Sequence, residues 1–302
     1  MTRVGTGNYE ILRLLGKGGM AEVFRVRAIA GRYKGRELAL KRLLPALRKD
    51  EEAVRLFTAE AELSRHLHHP NIVQVLDVGH DADDIYIVMD FIDGRDVAQI
   101  IKRCRQTNVP WPVDFALYLA RVLLEALDYA HHAKGPTGKP LGIVHCDVSP
   151  SNFFVSRTGE LVLGDFGVAR SLIEVGPDQV MGKPFYLSPE AVSGHLNATI
   201  DLWAVAVTLY ELLTLQRPFL GKTAPEVFQA IRSSTYIPVR NLRPEVPAIV
   251  EGLVARAFDV DPAMRFQTAR EFADAIAPLY DERVGTPLAI AAVVRGLFGT
   301  SD

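Results

Sequence analysis

Several features that settle a protein's class at once are scarce in this chain. Only two of its 302 residues are cysteines, Cys104 and Cys146, so no disulfide framework holds it, and no Cys/His spacing suggests a zinc site. That pattern fits a reducing compartment, with the cytoplasm as the expected location. Neither sign of charge dominates: 34 Lys and Arg stand against 36 Asp and Glu, a net charge of −2. A chain so balanced has no global basic field to draw it to nucleic acid or anionic lipid, so any charged partner must be met locally. Long apolar runs are also missing. The segment 1–8 has one arginine and no apolar core, which makes it neither signal peptide nor anchor. The longest late run, Leu288 to Phe298, is about half a membrane span and contains Arg295. Its period predicts a short amphipathic helix that packs back on the body, with a partner site as the lesser alternative.

What is present is the composition of a globular protein. A hydrophobic content of 48% over this length supports one large core or two smaller lobes. From Tyr9 to Met89 the pattern is strand-rich with one helix; from Asp96 to Leu279 long helical periods dominate, with short strand-like runs between. Two unequal lobes are therefore expected. Their join falls near Asp90 to Gly94, where the apolar strand Ile85 to Met89 gives way to an Asp-Gly turn. Gly135 to Pro140 reads as an exposed loop, because apolar structure resumes on both sides.

Chemistry-bearing residues occur in a particular order. Leu15-Gly16-Lys17-Gly18-Gly19-Met20-Ala21-Glu22-Val23 lies between strand-like runs, and its glycines let backbone N–H groups approach phosphate oxygens. Alone this is a weak signal, since glycine-rich β-turns are common, and Ala21 stands where a third glycine is usual. Lys41 ends an apolar run after Ala39, whose small side chain leaves room for a flat ring. Most such lysines are merely solvated, so Lys41 needs a partner. Leu56, Leu63 and Leu67 form a helical stripe that includes Glu60, and a carboxylate on a buried face calls for a cation.

Further on, the apolar Gly142-Ile143-Val144 leads into His145-Cys146-Asp147, with Asn152 five residues after Asp147. An aspartate there can accept a proton from a hydroxyl, and an amide oxygen can hold magnesium. The strand-like Leu161-Val162-Leu163-Gly164 then runs into Asp165-Phe166-Gly167, placing a carboxylate where metal and phosphates can be bridged. Each aspartate taken singly reads as a turn or cap residue; the joint pattern is what argues for phosphate transfer.

On these residues the chain resembles the eukaryotic-like (Hanks-type) protein kinases, most of all their bacterial serine/threonine branch, over roughly residues 9 to 280. Later features strengthen the resemblance. Ser188-Pro189-Glu190 is similar to the family's A-P-E, Asp201-Leu202-Trp203 opens a helix, Ala204 to Leu213, read as apolar on all sides, and Arg265 resembles the arginine that pairs with that glutamate. The resemblance implies an α+β, bilobal kinase-like fold: a β-rich N-lobe with one main helix (1–91), a larger helical C-lobe (92–280) and a C-terminal tail with a short amphipathic helix (281–302).

It also implies ATP and magnesium as cofactors and protein substrates as partners. Lys41 would hold the α- and β-phosphates and Glu60 would position it. Asp147 would be the catalytic base, and Asn152 and Asp165 would bind the metal. Leu15, Gly16, Lys17, Gly18, Gly19, Met20, Ala21, Val23 and Ala39 would surround the nucleotide, with Met89 behind the adenine and the backbone of Asp90 and Ile92 on its edge. His145, Phe166, Asp201 and the Glu190–Arg265 pair are implied to be structural. The runner-up reading is a catalytically weak nucleotide-binding module that presents its surface to partners.

The chain departs from the family at four informative places. Cys146 replaces the arginine that receives an activation-loop phosphate, and between Asp165 and Glu190 the only hydroxyls are Ser171, Tyr186 and Ser188, none of them mid-loop. Receiver and donor site are both missing, so activity is expected not to depend on activation-loop phosphorylation. Ser149 stands where serine/threonine members have a lysine, and Lys183 where they have a threonine. Lys183 is therefore expected to supply the cation that Ser149 cannot.

The remaining candidates take plainer readings. A redox switch at Cys146 is disfavoured because Asp147 beside it would raise the thiol pKa. His66, His68, His69, His131 and His132 lie at helix ends and are read as capping and solvated residues, not metal ligands. With no sensor domain or membrane segment, the expected cue is a regulatory binding partner, concentration, or constant activity.

Overall fold

Six strands, β1 (Arg3–Val4), β2 (Tyr9–Lys17), β3 (Ala21–Ala28), β4 (Glu37–Leu43), β5 (Val75–His80) and β6 (Ile85–Asp90), pair antiparallel in the order β1-β2-β3-β4-β6-β5. The computed structural model describes residues 3–4, 7–80, 84–166, 184–281, 283 and 285–299. These strands belong to a unit comprising Met1–Asp93 with Lys134–Lys139; a second unit comprises Gly94–Ala133 with Pro140–Asp302.

The period of two explains the sheet. Phe24, Val26, Leu38, Leu40, Tyr86 and Val88 send their side chains into one cluster, while Ala21, Leu43, Ile85 and Ile87, offset by an odd number of positions, enter another on the opposite face. The second cluster is closed by Phe57 and Ala61 of helix α1 (Glu51–Ser64). That helix starts where Asp50 accepts a hydrogen bond from the Ala53 N–H at 3.0 Å, with Glu51 and Glu52 complementing the exposed amides of the first turn.

The buried stripe of α1 is Ala53, Phe57, Ala61 and Ser64, one residue further round than the Leu56–Glu60–Leu63 stripe expected from sequence. Leu56, Glu60 and Leu63 flank it and are only half-buried, and Leu67 is buried but lies past the helix end. A wide apolar face permits either choice of centre; the sheet takes the one in which Phe57 enters the core between the small Ala53 and Ala61.

In the second unit β7 (Gly94–Asp96), β8 (Phe153–Ser156) and β9 (Leu161–Leu163) form a small antiparallel sheet in that order. Its helices are α2 (Val97–Thr107), α3 (Val113–His131), α4 (Pro189–Val192), α5 (Thr199–Thr214), α6 (Ala224–Arg232), α7 (Val239–Leu242), α8 (Ala248–Ala257), α9 (Ala269–Ile276) and α10 (Pro287–Phe298). The core centres on α5, where every residue from Ile200 to Leu213 is buried. Trp203 stacks on Phe219 with ring centroids 5.2 Å apart and meets Phe258 at 5.1 Å.

The sequence reading of α5 as apolar all round needs correction, because Thr208 and Glu211 are buried within it. Each is satisfied. Thr208 donates to the Ala204 carbonyl at 2.9 Å, and Glu211 accepts from the Arg105 guanidinium at 2.7 Å and the Tyr186 hydroxyl at 2.5 Å. Burial, then the Glu211 carboxylate, hold the Tyr186 hydroxyl well above its ordinary pKa, so it donates at all physiological pH.

Candidate active site

In the first unit the glycine-rich segment is the hairpin between β2 and β3. Gly18 N–H donates to the Ala21 carbonyl at 2.8 Å, closing the turn, and Lys17 pairs with Glu22 at 3.2 Å. Leu15, Gly16, Lys17, Gly18 and Gly19 are exposed, Met20 and Val23 half-buried and Ala21 buried. A Cβ built on Gly16 or Gly19 would meet no atom within 4 Å, so the backbone is open there to a ligand as bulky as a phosphate.

Lys41 lies inside β4, which runs two residues further to Leu43, so it does not end the strand as the sequence suggested. It sits opposite Val23 on β3 and Ile87 on β6. Its Nζ is 2.5 Å from Glu60 Oε1, with the two side chains 14% and 16% exposed. Ala39 sits opposite Met89 across β4 and β6, so these two expected nucleotide neighbours are adjacent. Asp90 N–H already donates to the Gln74 carbonyl at 3.1 Å, and the Asp90 side chain pairs with Arg36 at 2.9 Å. Ile92 lies just past β6, half-buried.

In the second unit the loop carrying Asp147 is held from beneath. Asp201, buried near the start of α5, accepts the His145 N–H on Oδ2 and the Cys146 N–H on Oδ1, each at 2.9 Å, and His131 Nε2 lies 2.8 Å from Oδ2. Cys146 thereby keeps a left-handed backbone (φ 63°), which a side chain adopts only when its surroundings insist. Asp165 has the same conformation (φ 51°) at the far end of β9.

His145 is fully buried and ties these two strained residues together. Its Nε2 lies 3.0 Å from the Gly164 carbonyl, its Nδ1 accepts the Asp147 N–H at 3.3 Å, and its ring meets Phe166 at 4.5 Å. That pattern requires the neutral Nε2–H tautomer, and burial lowers the ring's pKa in the same sense.

Asn152 donates from Nδ2 to both the carbonyl and Oδ2 of Asp147, at 2.9 and 2.8 Å, which leaves its Oδ1 as the atom to meet a cation. Its carbonyl accepts the Gly164 N–H at 2.8 Å, tying the loop to the residue before Asp165. Among the described residues no three His, Cys, Asp or Glu gather as a self-sufficient metal site. Asn152 and Asp165 instead offer the hard oxygens that magnesium accepts when phosphates and water complete its shell, so they fit that ion. Ser149 is buried, with no partner found for its hydroxyl among the described residues. Gly167, Ser171 and Lys183 lie outside the described residues.

Glu190 and Arg265, 75 residues apart, form an ion pair at 2.9 and 3.1 Å, and the Arg265 guanidinium also lies 4.6 Å from the Trp203 ring centre. Sequence reasoning missed two participants. His131, read as a solvated helix end, is buried against Asp201, whereas His132 is exposed and bonds the Asp128 carbonyl as expected of a cap. Glu211 was hidden in an apolar helix; its one sequence signal was a charge at a position whose neighbours are all buried.

In the first unit a lysine of β4 pairs with a glutamate of α1, and in the second a clamped His145-Cys146-Asp147 loop precedes Asp165-Phe166; these are features that protein kinase domains share. The chain belongs to the protein kinase domain family, which it matches over residues 9–275. It is 34% identical to the tyrosine-protein kinase MasK of Myxococcus xanthus over 97% of this chain and 46% of that protein, and 32% identical to the serine/threonine-protein kinase PrkC of Bacillus subtilis over 91% and 41%. The chain thus spans less than half the length of these relatives. Among solved structures, the Mycobacterium tuberculosis PknI kinase domain matches with a TM-score of 0.67 and 30% identity, covering 90% of this chain and 95% of that one. The α+β architecture is the protein kinase fold.

Proposed function

We propose that this chain is an active protein kinase that transfers the γ-phosphoryl group of ATP to serine or threonine hydroxyls of protein substrates, with magnesium. The observation that carries this is the state of Asp147: its carboxylate is held at 2.8 Å by Asn152 on a loop whose preceding amides are clamped by Asp201. A base for a hydroxyl proton needs that fixity. Asp147 orients the acceptor hydroxyl and takes its proton. Lys41, steadied by Glu60, grips the α- and β-phosphates, and Asn152 and Asp165 hold the metal, which when bound neutralises the charge of the transferring group. The exposed backbone of the Gly16–Gly19 segment is suited to phosphate oxygens, and Ala39, Met89, Asp90 and Ile92 to the adenine.

The finer reading is that activity needs no activation-loop phosphate, since Cys146 cannot receive one. Phosphate found on this loop together with a matching rise in rate would overturn it. Lys183 supplies a cation near Asp147 in place of Ser149, whose buried hydroxyl carries no charge; unchanged turnover in Lys183→Ala would end that idea. The same reading places the kinase in the cytoplasm, with a binding partner, concentration or constant activity as its cue; among the described residues no helix is long and apolar enough to cross a membrane.

The deciding experiment incubates the protein with labelled ATP and magnesium beside Asp147→Asn, followed by phosphoamino-acid analysis of a mixed acceptor. Labelled serine or threonine that disappears in the variant supports the proposal. Label that persists in the variant, or nucleotide binding without transfer, overturns it, and label on tyrosine alone overturns the choice of acceptor, the outcome that likeness to MasK makes worth including.

A further inference from the structure

We propose that a pocket between α10 and the β7–β8 ribbon is a second binding site, for the phosphorylated serine or threonine side chain of another polypeptide. The pocket has a volume of about 180 Å³ and lies within the second unit. The residues that line it include three arginines, Arg95, Arg157 and Arg295, and the apolar Val155, Val294 and Phe298. A cavity of this composition matches a ligand with a short apolar stem and a doubly charged head: arginines grip phosphate oxygens through paired N–H groups, and the apolar wall takes the carbon atoms.

The pocket is built by specific features of the fold. Gly94 and Arg95 pair with Ser156 and Val155 across β7 and β8, and a Cβ on Gly94 would overlap the Val155 carbonyl oxygen, so only glycine lets the ribbon close here. Arg95 holds its guanidinium 5.1 Å from the Phe298 ring centre. Arg295, one helical turn before Phe298, lies on the same side of α10. Burial of Ile290, Ala291 and Leu297 fixes that helix to the body. Arg157 is exposed on the turn after β8.

Two features oppose an anion here, the first offset and the second offset in part. The C-terminus of α10 carries partial negative charge, but Arg103 donates to the Leu297 carbonyl at 2.7 Å and Gly299 N–H to the Arg295 carbonyl at 2.7 Å. Two nearby carboxylates have partners of their own, although Asp96 also lies close enough to Arg95 to feel its charge. Asp96 caps α2 through the Gln99 N–H at 2.7 Å, and Glu160 lies within hydrogen-bonding reach of the Ser156 and Thr158 hydroxyls. The choice of phosphoserine or phosphothreonine over other phosphomonoesters rests on the kinase reading, whose product carries that group.

The test measures fluorescence anisotropy of a labelled pentapeptide with a central phosphothreonine, and of its unphosphorylated twin, on the full chain. The phosphopeptide is expected to bind at least about tenfold more tightly, and Arg157→Gln/Arg295→Gln to remove that preference without changing the melting temperature. Arg157→Glu, on an exposed turn, is the second variant, with the same loss expected should the pair of changes disturb α10. Equal affinity for the two peptides overturns the proposal, as does undiminished phosphopeptide binding in both variants. Inorganic phosphate that competes as well as the peptide reassigns the site to the free ion and overturns the polypeptide ligand. Phosphatidylserine vesicles that bind where the phosphopeptide does not overturn it in favour of lipid. The assay needs no phosphate transfer, so its failure is separate from failure of the kinase reading.

Discussion

His131 and Asp201, 70 residues apart, meet at 2.8 Å through Nε2 and Oδ2, and that same oxygen accepts the His145 backbone N–H at 2.9 Å. The other oxygen takes the Cys146 N–H. One buried carboxylate thus satisfies three donors and holds the loop that bears Asp147 in a conformation that L-residues otherwise avoid.

Removing that carboxylate should be costly. Asp201→Ala strands the buried His145 N–H and the N–H of half-buried Cys146, and a loss of about 3 kcal/mol is expected in urea unfolding, with phosphate transfer falling as the loop relaxes. A loss below about 1 kcal/mol would show that the clamp is not needed.

Stability should also depend on pH through His145. Burial lowers its pKa below the ordinary 6.5, so above that pH the ring is neutral both folded and unfolded and stability is full. As pH falls below 6.5 the unfolded chain takes up a proton that the folded one refuses, and stability drops by up to about 1.4 kcal/mol per pH unit until the lower folded value is reached. Urea midpoints between pH 7.5 and 5.5 should slope less steeply in His145→Gln than in the unaltered chain.

The Lys41–Glu60 pair should matter to chemistry more than to folding. Because α1 is anchored by Ala53, Phe57 and Ala61, Glu60→Gln is expected to cost about 1 kcal/mol of stability yet lower initial transfer rates about 100-fold. Rates within twofold of the unaltered chain would remove Glu60 from the machinery.

Arg265 is 5% exposed and makes bonds that a lysine cannot copy: to both Glu190 oxygens, to the Asp259 carbonyl at 2.6 Å and to the Val260 carbonyl at 3.3 Å. Arg265→Ala should lose about 3 to 5 kcal/mol, leaving Glu190 unpaired, and Arg265→Lys should recover less than half of that. Thermal and urea unfolding of the two variants, beside Glu190→Gln, measures the coupling.

Much of this was legible in the chain before folding. The order Lys41, Glu60, Asp147, Asn152, Asp165 pointed to the kinase family, the strand-like runs beside the glycine-rich segment and the apolar run leading to Lys41 marked strands, and Leu288 to Phe298 became the helix expected, Pro287–Phe298, with its apolar side packed down. Local readings failed where several answers satisfied the same pattern. The apolar face of α1 is wide enough for two centres, and a histidine at a helix end looks alike whether water or a buried carboxylate lies beyond it.

Periodicity and residue type record which side of a segment must leave water, because the hydrophobic effect acts on each segment through its own spacing. They therefore carried the class of fold and the family to which the chain belongs. What sits across from a buried polar group is a matter of long-range packing: Glu211 finds Arg105, 106 positions away, and Asp201 finds His131. The pocket beside α10 likewise exists only because two strands and a distant helix come together. Hydrogen bonds between far-separated positions leave no local spacing to read, so those choices belong to the folded chain.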